Sequence, residues 1–209
     1  MKTLRKILNV LSCSVLAVCL GNAAEAESFE DTFARAQGAV GEIGKYQQAL
    51  QNPDLRLQYA LVQEMLKLKD PALQRLAKEH ALFSSNPVMR EAAIKAILDS
   101  GPTLRLQIAG GEGTFENAAH YVNNFGGTFV ENRGEVLVRV PAAVQDDCWG
   151  SNKHCMFRQV GSTVQYNPTI ANWHREMRMV LNLGNDGVLR GFSTESGGET
   201  LQVQIDLKE

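Results

Sequence analysis

Between residues 52 and 101, apolar side chains recur every three to four positions. Leu55, Tyr59, Val62 and Leu66 form one such run, and Leu73, Leu76, Ala77 and Leu82 a second. Met89, Ala93, Ile94, Ile97 and Leu98 form a third. Each run lines one face of a helix. Each is preceded by the same device: Asn52-Pro53-Asp54-Leu55, Asp70-Pro71-Ala72-Leu73 and Asn86-Pro87-Val88-Met89. An Asn or Asp side chain caps the free N–H groups of a new helix. A proline in the first turn gives up an N–H that has no partner there anyway. Ser100-Gly101-Pro102 is the stop signal of the third run. Upstream, Ser28 to Leu50 carries Phe29, Phe33, Ala36, Val40 and Ile43 near one stripe, with glycines at 38, 41 and 44. Those glycines would allow close helix contact, but each interior glycine costs up to ~1 kcal/mol. The segment therefore reads as a frayed or interrupted helix.

After Pro102 the period drops to two. Leu104, Leu106 and Ile108 alternate with polar neighbours, as do Val136, Val138 and Val140. Met177 to Leu183 and Leu201 to Leu207 repeat the pattern. Such alternation marks strands with one buried and one wet face. Asn132-Arg133-Gly134, Gly184-Asn185-Asp186-Gly187 and Ser196-Gly197-Gly198 supply turns between them. The expected fold class is α+β. A short helical-repeat-like bundle over 27–101 is followed by an antiparallel β-sandwich or small barrel over 103–209, with about seven or eight strands. Thr114 to Phe125 reads as a short helix within the second part.

The three capped helices of residues 52–101 resemble HEAT/armadillo-like α-repeats. That resemblance implies stacked helix pairs and a surface offered to partner proteins. Three helices fall short of a full solenoid, and a plain helical bundle explains the same pattern.

The start of the chain changes the picture of where the protein works. Lys2, Arg5 and Lys6 precede an apolar run from Ile7 to Leu20, and Ala24-Glu25-Ala26 follows. This is the plan of a secretory signal peptide cleaved after Ala26. The run is shorter than the ~20 residues of a membrane span, which weighs against an uncleaved anchor. Leu16-Ala17-Val18-Cys19 gives a minor alternative, a lipoprotein anchored at Cys19, although Val18 stands where such motifs take a small residue. Removing Lys2, Arg5, Lys6 and Glu25 takes the 21 basic and 23 acidic residues to 18 and 22, a net charge of −4. A mildly acidic chain lacks the positive face that nucleic acid or anionic lipid requires.

Cleavage at that site also removes Cys13 and Cys19, leaving Cys148 and Cys155 as an even pair. In an oxidising compartment a disulfide is the default, here expected to pin a surface loop. The pair does not have the C-x-x-C spacing of redox-active sites. Zinc binding with His154 or His174 lacks a second closely spaced ligand pair. No cofactor or metal site is expected. The sequence has no G-x-S-x-G, H-E-x-x-H, P-loop or EF-hand pattern.

The densest polar and aromatic cluster spans 146–176. From it, Trp149, His154, Trp173 and His174 are the candidate binding surface, because exposed tryptophans anchor interfaces. The opposing reading packs both tryptophans over the disulfide or into the β-domain. The expected function is an exported, noncatalytic binding or adaptor protein with a protein or glycan partner. Two alternatives stand beside it. One is a small hydrolase using His154 or His174 with Asp146, Asp147 or Glu176. The other is a glycan-binding module that stacks sugars on the tryptophans.

Overall fold

The computed structural model describes residues 28–110, 115–151, 154–168, 177–195 and 200–208. The expected leader, Trp173, His174, Glu176 and the 196–198 turn lie outside the described residues. The chain divides into two compact units, Met1–Gly41 and Glu42–Glu209.

In the first unit, the described residues are the beginning of α1 (Phe29–Leu50). Ser28 caps it: its Oγ accepts from the Asp31 N–H at 3.1 Å and its hydroxyl donates to Asp31 Oδ2 at 2.8 Å. Phe29 and Phe33 are exposed and stack on each other, with ring centroids 5.8 Å apart. The helix runs unbroken through all three glycines, contrary to the interrupted helix expected. Nothing lies within 4 Å of a Cβ placed at any of them, so they serve no close contact among the described residues.

The second unit begins with the last turns of α1, where Leu50 is buried and Ile43 and Tyr46 pack against the core. Then come α2 (Leu55–Lys67), α3 (Pro71–Leu82) and α4 (Pro87–Asp99). Two caps work as the sequence implies, Asp70 and Asn86 with proline in the first turn; in the first phrase Asp54, not Asn52, is the cap, and Pro53 precedes the helix. Asp54, Asp70 and Asn86 side chains accept from the N–H groups of Arg56, Ala72 and Val88 at 2.9, 2.8 and 3.0 Å. Each cap side chain fills donors that the helix itself leaves open.

The β region holds β1 (Thr103–Ala109), α5 (Phe115–Asn124), β2 (Thr128–Val130), β3 (Arg133–Arg139), β4 (Ala143–Gln145) and β5 (Cys148–Ser151). It continues with β6 (His154–Val160), β7 (Thr163–Tyr166), β8 (Met177–Leu183), β9 (Val188–Glu195) and β10 (Thr200–Asp206). All ten pair antiparallel in one sheet, ordered β2-β3-β1-β10-β9-β8-β7-β6-β5-β4. The structure is mixed α+β with the helices first, as expected. The described strands form one curled antiparallel sheet, a half-barrel, with ten strands where seven or eight were expected, and no second sheet of a sandwich is seen among the described residues. Helices take the place of a second sheet. On β3, Gly134 seats α5, because a Cβ there would lie 2.3 Å from the Val122 side chain. From α4, Arg90 donates to the carbonyls of Leu183 and Gly184 at 2.5 and 2.9 Å.

Register explains the core. Leu104, Leu106 and Ile108 of β1 share a face with Val136 and Val138, with Val203 and Ile205, and with Leu181 and Met179 further along the row. All are buried. Gly191, between Val203 and Leu181, lets β8 approach, since a Cβ there would fall 1.8 Å from the Val180 carbonyl oxygen. Toward the β5 end the same face carries Tyr166, Phe157 and Trp149, and Phe157 stacks on Tyr166 with centroids 4.5 Å apart. Burial pushes the phenols of Tyr121 on α5 and of Tyr166 well above their ordinary range.

Candidate functional site

The residues singled out from the sequence part company in the fold. Cys148 and Cys155 form the disulfide. It ties β5 to β6 instead of pinning a surface loop, because both cysteines sit within paired strands. Trp149 is fully buried, at 0 % exposure. Its Nε1–H donates to Asp99 Oδ1 at 2.9 Å, and Lys95 lies 5.3 Å from its ring centre. Lys95 also pairs with Asp99 at 3.9 Å and Asp147 at 3.5 Å. Trp149 therefore docks the end of α4 onto the sheet and offers no ring face to a ligand, correcting the expected exposed platform.

His154 is exposed on β6, and its Nε2 lies 2.8 Å from the Asn167 carbonyl oxygen. Asp147 sits at the far end of the same hairpin, where its carbonyl accepts from the Gln159 N–H at 3.0 Å. Five residues of extended β6 separate the two, or ~17 Å. They do not meet as an acid–base pair. His80, half-buried on α3, lies 3.4 Å from Gln58 Oε1, and burial lowers its pKa. Among the described residues no three His, Cys, Asp or Glu side chains gather to hold a metal ion. No helix among them is long and apolar enough to cross a membrane.

What sequence reasoning missed is the outward face of the sheet. The register lines up two rows there. One runs Val180, Phe192, Gln202, Ala109, Arg133, Val130 across β8, β9, β10, β1, β3 and β2. The row beside it runs Asn182, Arg190, Gln204, Gln107, Glu135, Thr128 across the same six strands. At ~4.8 Å per strand each row is about 24 Å long. Together with Leu137, the rows line a groove of about 1380 Å³.

The second row is a polar ladder whose charged side chains find partners in it or beside it. Gln204 Nε2 donates to Gln107 Oε1. Arg190 makes two bonds to Asp186, at 2.8 and 2.7 Å, and holds its carboxyl far below the usual carboxylate range. Arg105 pairs with Glu135 at 3.5 Å. The first row is different. Phe192 is 56 % exposed, Val130 59 % and nearby Leu137 62 %. No carboxylate among the described residues pairs with Arg133.

The chain matches no protein-family model, no curated protein and no solved structure. Its site is thus read from its own geometry. A concave floor with apolar side chains, framed by amides and by the guanidinium of Arg133, can bind.

Proposed function

We propose that this is an exported, noncatalytic binding or adaptor protein, and that the outward groove of its sheet holds a protein partner. One observation carries the reading: Phe192, Val180, Val130 and Leu137 are left open to water within one concavity. Isolated exposed apolar residues are ordinary, but a grouped set marks an interaction surface. The mix also favours a protein over a glycan. Sugars are held by flat aromatic platforms, whereas three of these four side chains are aliphatic and Trp149 is buried. Export rests on the leader-like start and accords with the disulfide.

Photo-crosslinking in the organism of origin tests this. A photoreactive phenylalanine analogue replaces Phe192 or Leu137, and Lys69 or Arg75 as controls on the helical side. Discrete adducts from the groove positions alone are expected. No adduct from the groove, or the same adducts from all four positions, would refute it. Cell fractionation with intact-mass analysis checks export; a cytosolic chain retaining Met1 to Ala26 would overturn that part.

A further inference from the structure

The chain is acidic overall, yet its charge is unevenly placed. Six arginines stand exposed on the outward face of the sheet: Arg105, Arg133, Arg139, Arg158, Arg178 and Arg190. Among the described side chains, the alternation of the strands sets two carboxylates on the same face, Glu135 and Asp206. Other acidic residues of the β region, Glu131, Asp146, Asp147 and Asp186, lie in turns. Two of these eight-odd charges cancel in pairs close at hand: Glu135 is taken by Arg105 at 3.5 Å, and Asp186 by Arg190 at 2.7 Å. The face as a whole keeps a positive excess that the net charge of the chain conceals.

The excess is set out along one row. The row that runs from Val180 to Arg133 continues the other way through Gln165 to Arg158 on β6. From Arg158 to Arg133 it crosses six strand steps, ~29 Å along the sheet, with no acidic residue between. Arg133 lines the groove, and Arg158 stands outside it, beyond Val180. Neither pairs with a carboxylate among the described residues. A guanidinium matches a carboxylate through two parallel N–H donors. Between the two arginines, Val180 and Phe192 are 38 % and 56 % exposed and suit apolar contact. The counterpart of this row carries acidic groups set apart, with apolar side chains between them. An acidic stretch of protein has that form. A nucleic acid bears a phosphate on every unit and would lay charge over Val180 and Phe192. A bilayer surface is too flat to reach the floor of a concavity.

We propose that the outward face of the sheet takes an acidic protein partner, with carboxylates at Arg133 and Arg158 and apolar side chains on Val180 and Phe192. This rests on the reading of the groove as a protein-binding surface and adds the chemistry of what it binds. Isothermal titration of the whole protein with a random copolymer of glutamate and tyrosine tests it. Polyglutamate, polylysine, oligothymidylate and phosphatidylglycerol vesicles are titrated beside it. The copolymer should bind more tightly than polyglutamate, and polylysine should not bind. Raising salt from ~0.05 to ~0.5 M should weaken the copolymer, since exposed charges are screened. Arg133→Gln combined with Arg158→Gln should weaken it roughly fivefold to tenfold, the weight of two exposed ion pairs. Lys69→Gln combined with Arg75→Gln, on the helical side, should not. No binding of the copolymer, equal binding of polylysine, or an unchanged affinity in the arginine variant would overturn the proposal. So would tighter binding of oligothymidylate or of the vesicles, a comparison that needs no variant to fold. Should these results go against it while Phe192 still gives discrete photo-adducts, the groove keeps a protein partner of another chemistry. Without those adducts the groove reading itself fails.

Discussion

Trp149→Phe isolates the contact that docks α4 on the sheet. The change removes the Nε1–H donor that reaches Asp99 at 2.9 Å. Hydrogen bonds to charged groups contribute ~1.5–3 kcal/mol. The Asp99 side chain is 45 % exposed and keeps Lys95 at 3.9 Å, so water takes over much of the lost donation. A value near ~1 kcal/mol is therefore appropriate for this bond. The smaller ring also leaves roughly 40 Å³ unfilled in a site with no solvent access, or ~1 kcal/mol. Lys95, 5.3 Å from the indole, loses part of a cation–π contact that is ~0.5 kcal/mol at such exposure. The sum is ~2–2.5 kcal/mol, or a melting point lower by roughly 5–10 °C for a chain of this size. Urea unfolding followed by far-ultraviolet circular dichroism measures it. A double-mutant cycle with Asp99→Ala should return a coupling of ~1 kcal/mol. A loss under ~0.5 kcal/mol, or no coupling, would mean that this contact does not hold α4 in place.

Reduction of Cys148–Cys155, or replacement of both by serine, should cost ~2–3 kcal/mol, since a bridge spanning seven residues closes a short loop; identical urea curves with and without reductant would contradict this. Gly191→Ala should cost ~3 kcal/mol or more, because the new methyl falls on the Val180 backbone with no flexible neighbour to yield; a melting point within a degree of the parent would show that β8 and β9 do not approach as described. Stability should fall with acid in two windows. His80 has a folded pKa below its unfolded value, so the unfolded state binds the extra proton as pH drops through ~6.5, and Asp186 behaves likewise below pH ~4. Carboxyl carbon shifts that track Asp186 should show a mid-point well below that of a free aspartate, and a mid-point near the free value would refute the Arg190 pairing.

The elements that rest on local chemistry were legible. Caps at Asp54, Asp70 and Asn86 place three helices because the capping bond is made within three residues. Alternation at Leu104 to Ile108 and Met177 to Leu183 places strands because one face is wet. Strands β5 and β6 escaped for the converse reason. Their buried face runs Trp149, Phe157, Gln159, so a polar residue interrupts it just where the period should show. β2 and β4, three residues each, are too short to carry a period at all. The tryptophan reading failed because Trp149 finds its hydrogen-bond partner 50 residues back, on α4, and no spacing rule links the two. The outward groove was invisible for a related reason. Phe192, Ala109 and Arg133 become neighbours only through the order β9-β10-β1-β3, which joins strands far apart in sequence.

The two faces of the sheet make the case for binding together. The inward apolar residues belong to one buried cluster shared with the helices, so their apolar content is accounted for by the core. The outward face has the same strands and the same alternation, and a purely solvated face would carry polar residues throughout. The ladder from Asn182 to Thr128 does so, with Gln204 bonded to Gln107, and Arg190 and Glu135 paired with Asp186 and Arg105 beside it. The adjacent row does not: it sets Val180 and Phe192 at one side and Val130 at the other, with Arg133 beside it. Leu137, opposite Arg105, stands on the far side of the ladder, two residues beyond Glu135 on β3. The adjacent row mixes apolar and polar side chains, and its exposed Val180, Phe192 and Val130 are where the proposed partner would rest. Substituting Phe192 and Leu137 by serine should consequently leave stability within ~0.5 kcal/mol, as exposed positions do. If the doubly substituted chain instead unfolds early, those side chains belong to the packing of the fold, and the groove loses its claim to a partner.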